Sequence, residues 1–303
     1  MAFVYEICGL ALACEQPLGA LEGAETGDDA NTVRFRVDAD LRLPAPEQWV
    51  VVRTFAGAAE PWLSVAQLDD GYLLRVHGEA DFRVDRLGTD IACVPAPDCA
   101  TESIEQLLLD QILPQVLHLR GQPCFHASAV ADAAGHVIAF LGASGSGKST
   151  LAASYAEART LVSDDCLVVS IQNGGALVAP SYPSVRLWRE AAQELVAGGD
   201  ALPPAAPRQD KVRLAMRRAP RTLRLGHIYL LEEATGAPQL TPLSRRDALL
   251  RLADHLHRLD PMDRHLLERE LAFLESIVSR VPVARLSYPR RFEDLSAVRA
   301  LLD

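Results

Sequence analysis

Lysine is almost missing from this chain. Of its 30 basic side chains only two are lysines, Lys148 and Lys211, and the other 28 are arginines. Lysine is ordinarily among the commoner residues. A bias towards alanine and arginine explains the shortage but not where the two survivors sit. An excess of positive charge is missing too: 40 acidic residues leave a formal net charge of −10, which argues against a chain built mainly to bind nucleic acid. No apolar run approaches the ~20 residues of a membrane helix. The opening MAFVYEICGL lacks the charged start and long apolar stretch of a secretory signal. The six cysteines include no C-x-x-C pair, and Cys93 and Cys99 have no companion ligands, so neither a zinc site nor a disulfide framework is indicated. No internal repeat is present. These absences lead us to expect a cytoplasmic protein with free thiols and neither a membrane nor a nucleic-acid partner.

What is present is ordinary in bulk. With 303 residues, 49% apolar and 23% charged, the chain can form one large domain or two smaller ones. Residues 1–100 carry short β-rich runs between turn signals: Phe3–Leu12, Thr32–Val37, Trp49–Phe55, Trp62–Gln67, Tyr72–Val76, Phe82–Val84 and Ile91–Val94. They predict a mostly antiparallel β module for recognition or packing. From 101 to 303 the pattern is α/β. A helix over 102–119 is expected, capped by Thr101 and kinked at Pro114. Strands FHASAV and HVIAFL follow, then a Gly-rich loop, a helix from Lys148, and a strand ending at Ser163-Asp164-Asp165. Further strands are expected at Cys166–Ile171, Ala176–Val178, His227–Leu231 and Val283–Leu286. Helices are expected at 244–259, 264–278 and 293–302, with a mobile Gly/Pro/Ala-rich loop over 198–209.

One segment carries chemistry unmistakably. Gly142-Ala143-Ser144-Gly145-Ser146-Gly147-Lys148-Ser149, followed by Thr150, fits the phosphate-loop pattern G-x-x-x-x-G-K-[ST] at every position. Glycines let successive N–H groups wrap phosphates, and the helix start adds its positive end. Lys148 is expected to place a compact charge on the β and γ phosphates of ATP, where a planar guanidinium fits poorly. Ser149 is expected to coordinate magnesium. Asp164 and Asp165 end the next strand only 16 and 17 residues after Lys148. Because adjacent strand residues point to opposite sides, one carboxylate can face the metal and the other an incoming hydroxyl.

The order His126 in FHASAV, the loop GASGSGKST, then LVSDD resembles the HPr kinase/phosphorylase family of bacterial serine kinases over roughly residues 120–300. That family is related in fold to ATP-dependent phosphoenolpyruvate carboxykinase. The resemblance implies a P-loop kinase domain behind the β module, and transfer of the γ-phosphoryl of magnesium-ATP to a serine. It implies Asp164 as the acid–base residue, Asp165 as its metal-side or lysine-side partner, and His126 beside the phosphates. The opening YEICGLALACEQPLGAL is similar to stand-alone relatives found with ribosomal-peptide clusters. Some of these phosphorylate a serine at the end of a lasso-peptide precursor, which implies a peptide or small-protein acceptor. The family's second, glutamate-containing Gly-rich signature has no match after Asp165, where APSYPSVRLW stands at 179–188. Reverse phosphorolysis and the family's hexamer are therefore not carried over, and a homo-oligomer is left open.

Lys211 follows the 198–209 loop within a basic run (Arg208, Lys211, Arg213, Arg217, Arg218, Arg221, Arg224) broken only by Asp210. Such cations can close over a transferring phosphoryl group, with Lys211 foremost and Arg186, Arg208 and Arg213 as further candidates. The run can equally be a solvated face or attract an acidic peptide. Two rival functions are an ABC-type ATPase and a nucleotide-binding module without catalysis. Ile228–Thr235 superficially resembles a Walker B strand, but no LSGGQ-like segment precedes it and Glu232 occupies the aspartate position. His255, His257 and His265 lack the one-face spacing of a metal site.

Overall fold

Among the described residues, turn chemistry cuts the first hundred into eight strands. The computed structural model describes residues 3–21, 32–54, 58–207 and 210–303, so Arg208 lies outside the described residues. The chain is mixed α/β with two large sheets. It divides into two compact units, Met1–Pro123 with His257–Glu270, and Cys124–Leu256 with Leu271–Asp303.

In the first unit the strands are β1 (Phe3–Ile7), β2 (Leu10–Cys14), β3 (Thr32–Val37), β4 (Val51–Thr54), β5 (Pro61–Leu68), β6 (Gly71–Val76), β7 (Ala80–Asp85) and β8 (Asp90–Pro95). They lie in the order β1-β2-β3-β8-β7-β6-β5-β4. The pairings are antiparallel, as expected, except β2–β3 and β3–β8, which are parallel. The run expected as one strand over Phe3–Leu12 is a hairpin. Cys8 and Gly9 both take positive φ, 55° and 78°, the two-residue turn that suits strand twist, and Ile7 pairs with Leu10. The expected long helix is α1 (Thr101–Leu107), a π turn over Leu108–Ile112 and α2 (Leu113–Leu119). Thr101 is the first helical residue rather than the cap, and Ala100 caps without a side-chain bond. Pro114 has no N–H for the carbonyl four residues back, and the widened turn ahead of it accommodates that loss.

A polar staple lies inside this unit. His118 Nδ1 accepts the Leu259 N–H at 3.1 Å, so the ring proton sits on Nε2, which faces Glu270 Oε1 at 3.1 Å. Arg258 Nε donates to the other Glu270 oxygen at 2.8 Å. Burial alone would push Glu270 up, yet the hydrogen bonds from His118 and Arg258 outweigh it and hold the carboxyl below its usual range.

The second unit contains β9 (Cys124–Phe125), β10 (Ala127–Ala131), β11 (His136–Leu141), α3 (Lys148–Ala153), β12 (Thr160–Ser163), β13 (Leu167–Gln172) and β14 (Gly175–Val178). Then come β15 (Ser184–Trp188), α4 (Arg189–Leu195), β16 (Lys211–Ala215), β17 (Leu223–Glu233), β18 (Gln239–Pro242), α5 (Arg245–Ala253), α6 (Arg264–Val278), β19 (Val283–Tyr288) and α7 (Leu295–Leu302). The main sheet runs β12-β10-β11-β17-β14-β13-β9, with β19 on β17 and β18 on β19. Both faces are buried, which is why its strands read as continuous apolar runs. Ala129, Val137, Ala139 and Ile228 pack with Leu252 of α5 and Leu274 and Ile277 of α6. On the other face Val130, Ile138, Phe140 and Tyr229 pack with Leu151 of α3 and Val298 of α7.

The sequence pattern gives no sign of α4, of β18 or of the separate two-stranded ribbon β15–β16. The 198–207 stretch, expected as a mobile loop, packs back on that ribbon: Ala205 and Ala206 are buried, and the Ala205 N–H donates to the Lys211 carbonyl at 2.8 Å.

Glu270→Ala leaves a buried histidine and an arginine facing no anion, and should cost about 3 kcal/mol in urea unfolding at neutral pH. Since the folded carboxyl is held below the ordinary 4.5, its contribution is complete above that pH and is lost as pH falls through the depressed folded value. The gap between wild type and variant should therefore narrow in unfolding curves taken below pH 4.5.

Candidate active site

Strand direction brings three segments to one edge of the larger sheet. β11 runs into the loop at Gly142. β12 lies across β10 and runs the same way as β11, so its end at Ser163 reaches the same edge. β10 runs oppositely and starts there, with Ala127 opposite Leu141 and Ala129 opposite Ser163. His126, Gly142 and Asp164 thus arrive together, the return of Asp164 to the loop being what the spacing predicts.

The loop has the backbone its glycines permit. Gly145 and Gly147 take φ of 76° and 90°, and a Cβ at Gly142 would stand 2.5 Å from Ser146 Oγ. Ala143, Ser144 and Gly145 are exposed at its tip, whereas Ser146 is buried. Lys148 is only 6% exposed, and its Nζ donates to the Gly142 and Ala143 carbonyls at 2.9 and 3.2 Å. Burial pushes its pKa down, and the charges of Asp165 and Asp164 oppose that. α3, which holds Ser149 and Thr150, has six residues. It is too short to supply much of the end charge expected from the sequence, because a macrodipole sums over aligned peptide units.

The two aspartates sit in opposite environments. Asp164 is fully enclosed. Its Oδ1 accepts from Ser128 Oγ at 2.5 Å and Ser149 Oγ at 2.8 Å, and its Oδ2 accepts the Arg186 N–H at 3.1 Å. Asp165 lies beyond the strand in a left-handed turn, φ 63°, a conformation aspartate tolerates better than most residues. That turn, rather than strand alternation, sets where its carboxylate lies. Arg186 Nη2 meets Asp165 Oδ2 at 2.5 Å, and His126 Nδ1 lies 3.7 Å from Oδ1. Burial and then the neighbouring Asp165 charge push Asp164 above the usual carboxylate range. Asp165 is also penalised by burial, but Arg186, then His126, hold it well below that range.

Arg186 enters by way of the β15–β16 ribbon. Val185, Leu187, Val212 and Leu214 face the core. The alternate residues Ser184, Arg186 and Trp188 share the other face with their cross-strand partners Ala215, Arg213 and Lys211. Arg213 is anchored to Ser184 Oγ at 3.3 Å and the Ala205 carbonyl at 3.4 Å. Lys211 Nζ lies 5.1 Å over the Trp188 ring. The rest of the basic run disperses: Arg218 donates to the Ser181 carbonyl, and Arg217, Arg221 and Arg224 are exposed.

Sequence reasoning misses two neighbours. Arg290, just after β19, donates to the Gly145 carbonyl at 3.2 Å. His255 accepts the His126 N–H on its carbonyl at 2.8 Å, and burial followed by the Lys148 charge pushes its imidazole below the usual range. No motif marks either residue. His265 is exposed and His257 buried. Glu232, the Walker B look-alike, is paired with Arg251 at 2.6 Å and lies 3.6 Å from Arg285.

No protein-family model matches the chain, and no curated protein matches it. Among solved structures it is similar to the HPr(Ser) kinase/phosphatase from Coxiella burnetii, with a TM-score of 0.31 and 10% identity over 59% of this chain and 93% of that one. That is a distant likeness of fold and nothing finer. No helix among the described residues is long and apolar enough to cross a membrane.

Arg186→Leu strips a nearly buried carboxylate of its counter-ion, and is expected to cost about 3 kcal/mol in urea unfolding. In an Asp165→Asn background the same change should cost less than half as much. Equal costs in the two backgrounds would mean that the ion pair carries no weight.

Proposed function

We propose that the protein is a kinase that transfers the γ-phosphoryl of magnesium-ATP to a hydroxyl, foremost a serine on a peptide or small protein, with the first unit serving recognition. One observation carries the reading. The hydroxyl of Ser149, the metal-ligating position of the loop pattern, donates to Asp164, while Asp165 is paired with Arg186 and lies beside His126. In this reading Asp164 serves the metal and Asp165 the acceptor hydroxyl.

This geometry favours roles exchanged from those the family resemblance implies. Asp164 has both oxygens occupied by donors and no exposed surface, which suits a group that orients metal ligands. Asp165 retains some exposure, 13% of its side chain, which suits a group that meets an acceptor. The residues fit magnesium: a hydroxyl and a carboxylate are hard oxygen donors, and this ion takes one or two side chains with phosphates and water. When bound it would offset the charge gathered on the β and γ phosphates. The loop N–H groups and Lys148 hold those phosphates. The acceptor oxygen bonds to the γ phosphorus as the bond to the β–γ bridging oxygen breaks, its electron pair leaving on ADP, and the hydroxyl proton passes to Asp165. In a loose transition state that proton leaves late, so a carboxylate kept acidic by Arg186 suffices.

The ATPase reading has less support, because Glu232 is occupied by two arginines. A binding module without catalysis would have no use for a second carboxylate held on the acceptor side.

The test uses the full chain, magnesium, [γ-³²P]ATP and serine peptides encoded by neighbouring genes. Asp165→Asn should lower transfer about 1,000-fold with ATP affinity by calorimetry close to wild type. Asp164→Asn should instead raise the magnesium concentration needed for half-maximal rate. Full transfer by Asp165→Asn would return the base role to Asp164. Hydrolysis without an acceptor would favour the ATPase, and binding without turnover the module.

A further inference from the structure

The two lysines of the chain are held in different ways. Lys148 is enclosed by loop carbonyls, whereas Lys211 has a single side-chain partner. Among the described residues it makes no ion pair and no side-chain hydrogen bond, and its ammonium rests on the face of Trp188, an indole 54% exposed to solvent. Neighbouring acids are already taken: Asp210 lies 3.4 Å from Arg189, and Asp165 pairs with Arg186. The other two cations on this face of the ribbon are tied down, Arg186 by Asp165 and Arg213 by Ser184 and Ala205. Among the described residues, Lys211 is therefore the one uncommitted cation on the ribbon face that delivers Arg186 to Asp165. It is also near enough for its charge to act on both Asp165 and Lys148.

A cation on an exposed aromatic face is weakly held. Phosphoryl oxygens that gain a share of charge during transfer are a far stronger attraction. A flexible four-carbon stem ending in a compact ammonium can swing between the two, where a planar guanidinium stacked on indole is more committed. We infer that Trp188 is the resting seat of Lys211, and that Lys211 leaves it for the γ-phosphoryl oxygens when a nucleoside triphosphate binds. The inference rests on the kinase reading of this site and adds discrimination to it: a diphosphate, lacking the γ group, leaves Lys211 on its seat. Lys211 is then a catalytic residue, and Trp188 a positioning residue acting through it.

Indole emission reads the exchange directly. In the full-length protein, magnesium with a non-hydrolysable ATP analogue should change the Trp188 emission, isolated by difference against Trp188→Phe, and magnesium-ADP should not. Lys211→Met should abolish the change while calorimetry still shows the analogue bound, and should lower kcat about 100-fold with the KM for ATP within about threefold. An unaltered emission change in Lys211→Met, an equal change with ADP, or a change that persists in Trp188→Phe would each overturn the inference while leaving the kinase reading standing. Failure of the analogue to bind the wild-type protein would sink both.

Discussion

A carboxylate with no water around it holds this site together. Asp164 is fully buried, and an enclosed charge is tolerable only when hydrogen bonds replace its hydration. The bonds come from separate stretches of chain: Ser128 at the start of β10, Ser149 in α3, and the Arg186 N–H on β15. Satisfying one buried group therefore fixes the sheet edge, the phosphate loop and the ribbon against one another. Its own N–H reaches towards Ser181 Oγ at 3.4 Å, which draws in the segment between β14 and β15 as well. Losing a donor would leave the carboxylate under-solvated in a low-dielectric interior, so the network behaves as a unit.

Arg186 couples the two halves of the arrangement. Its main chain serves Asp164 and its guanidinium serves Asp165, so a single residue sets the relation between the carboxylates. Two acidic groups side by side cannot both ionise freely. Here the guanidinium meets Asp165, with His126 Nδ1 3.7 Å away, while the hydrogen bonds to Asp164 come from neutral donors. The pair separates into an acid-prone partner near Ser149 and a firmly ionised partner beside Arg186. That separation follows from where the guanidinium lies.

Much of this was legible in the sequence, and the exceptions share a cause. The phosphate loop and the Asp-Asp pair are set by local backbone demands, glycines at positive φ and a short helix–strand return, and these leave a spacing in the chain. His126 is placed by the antiparallel pairing of β10 with β11, and in the sequence only the family resemblance points to it. Ser128 and Ser181 leave no mark, because a serine that satisfies a buried carboxylate looks like any other serine. Arg186 is one of 28 arginines, and its ribbon is hidden in a stretch flanked by prolines, where strand propensity is hard to read. The orientation of Asp164 and Asp165 depends on a left-handed residue just beyond the strand, so a period-two argument predicts opposed carboxylates without saying which faces the loop. In the first unit, a positive φ at Cys8 similarly breaks an apolar run that reads as one strand.

The scarcity of lysine acquires meaning from the same geometry. A chain with 28 arginines meets most needs for positive charge with guanidinium, so a retained ammonium points to places where shape matters as well as sign. At position 148 the single nitrogen sits 2.9 and 3.2 Å from two carbonyls of one tight loop, a space that a planar five-donor fork does not fit. At position 211 the setting is the reverse, since among the described residues the side chain makes no ion pair and lies over the Trp188 ring. A guanidinium there would stack on the Trp188 ring and find the neighbouring carboxylates by bidentate pairing, competing with Arg186 for Asp165. An ammonium rests on the ring without bidentate pairing, which leaves the Asp165–Arg186 pair intact.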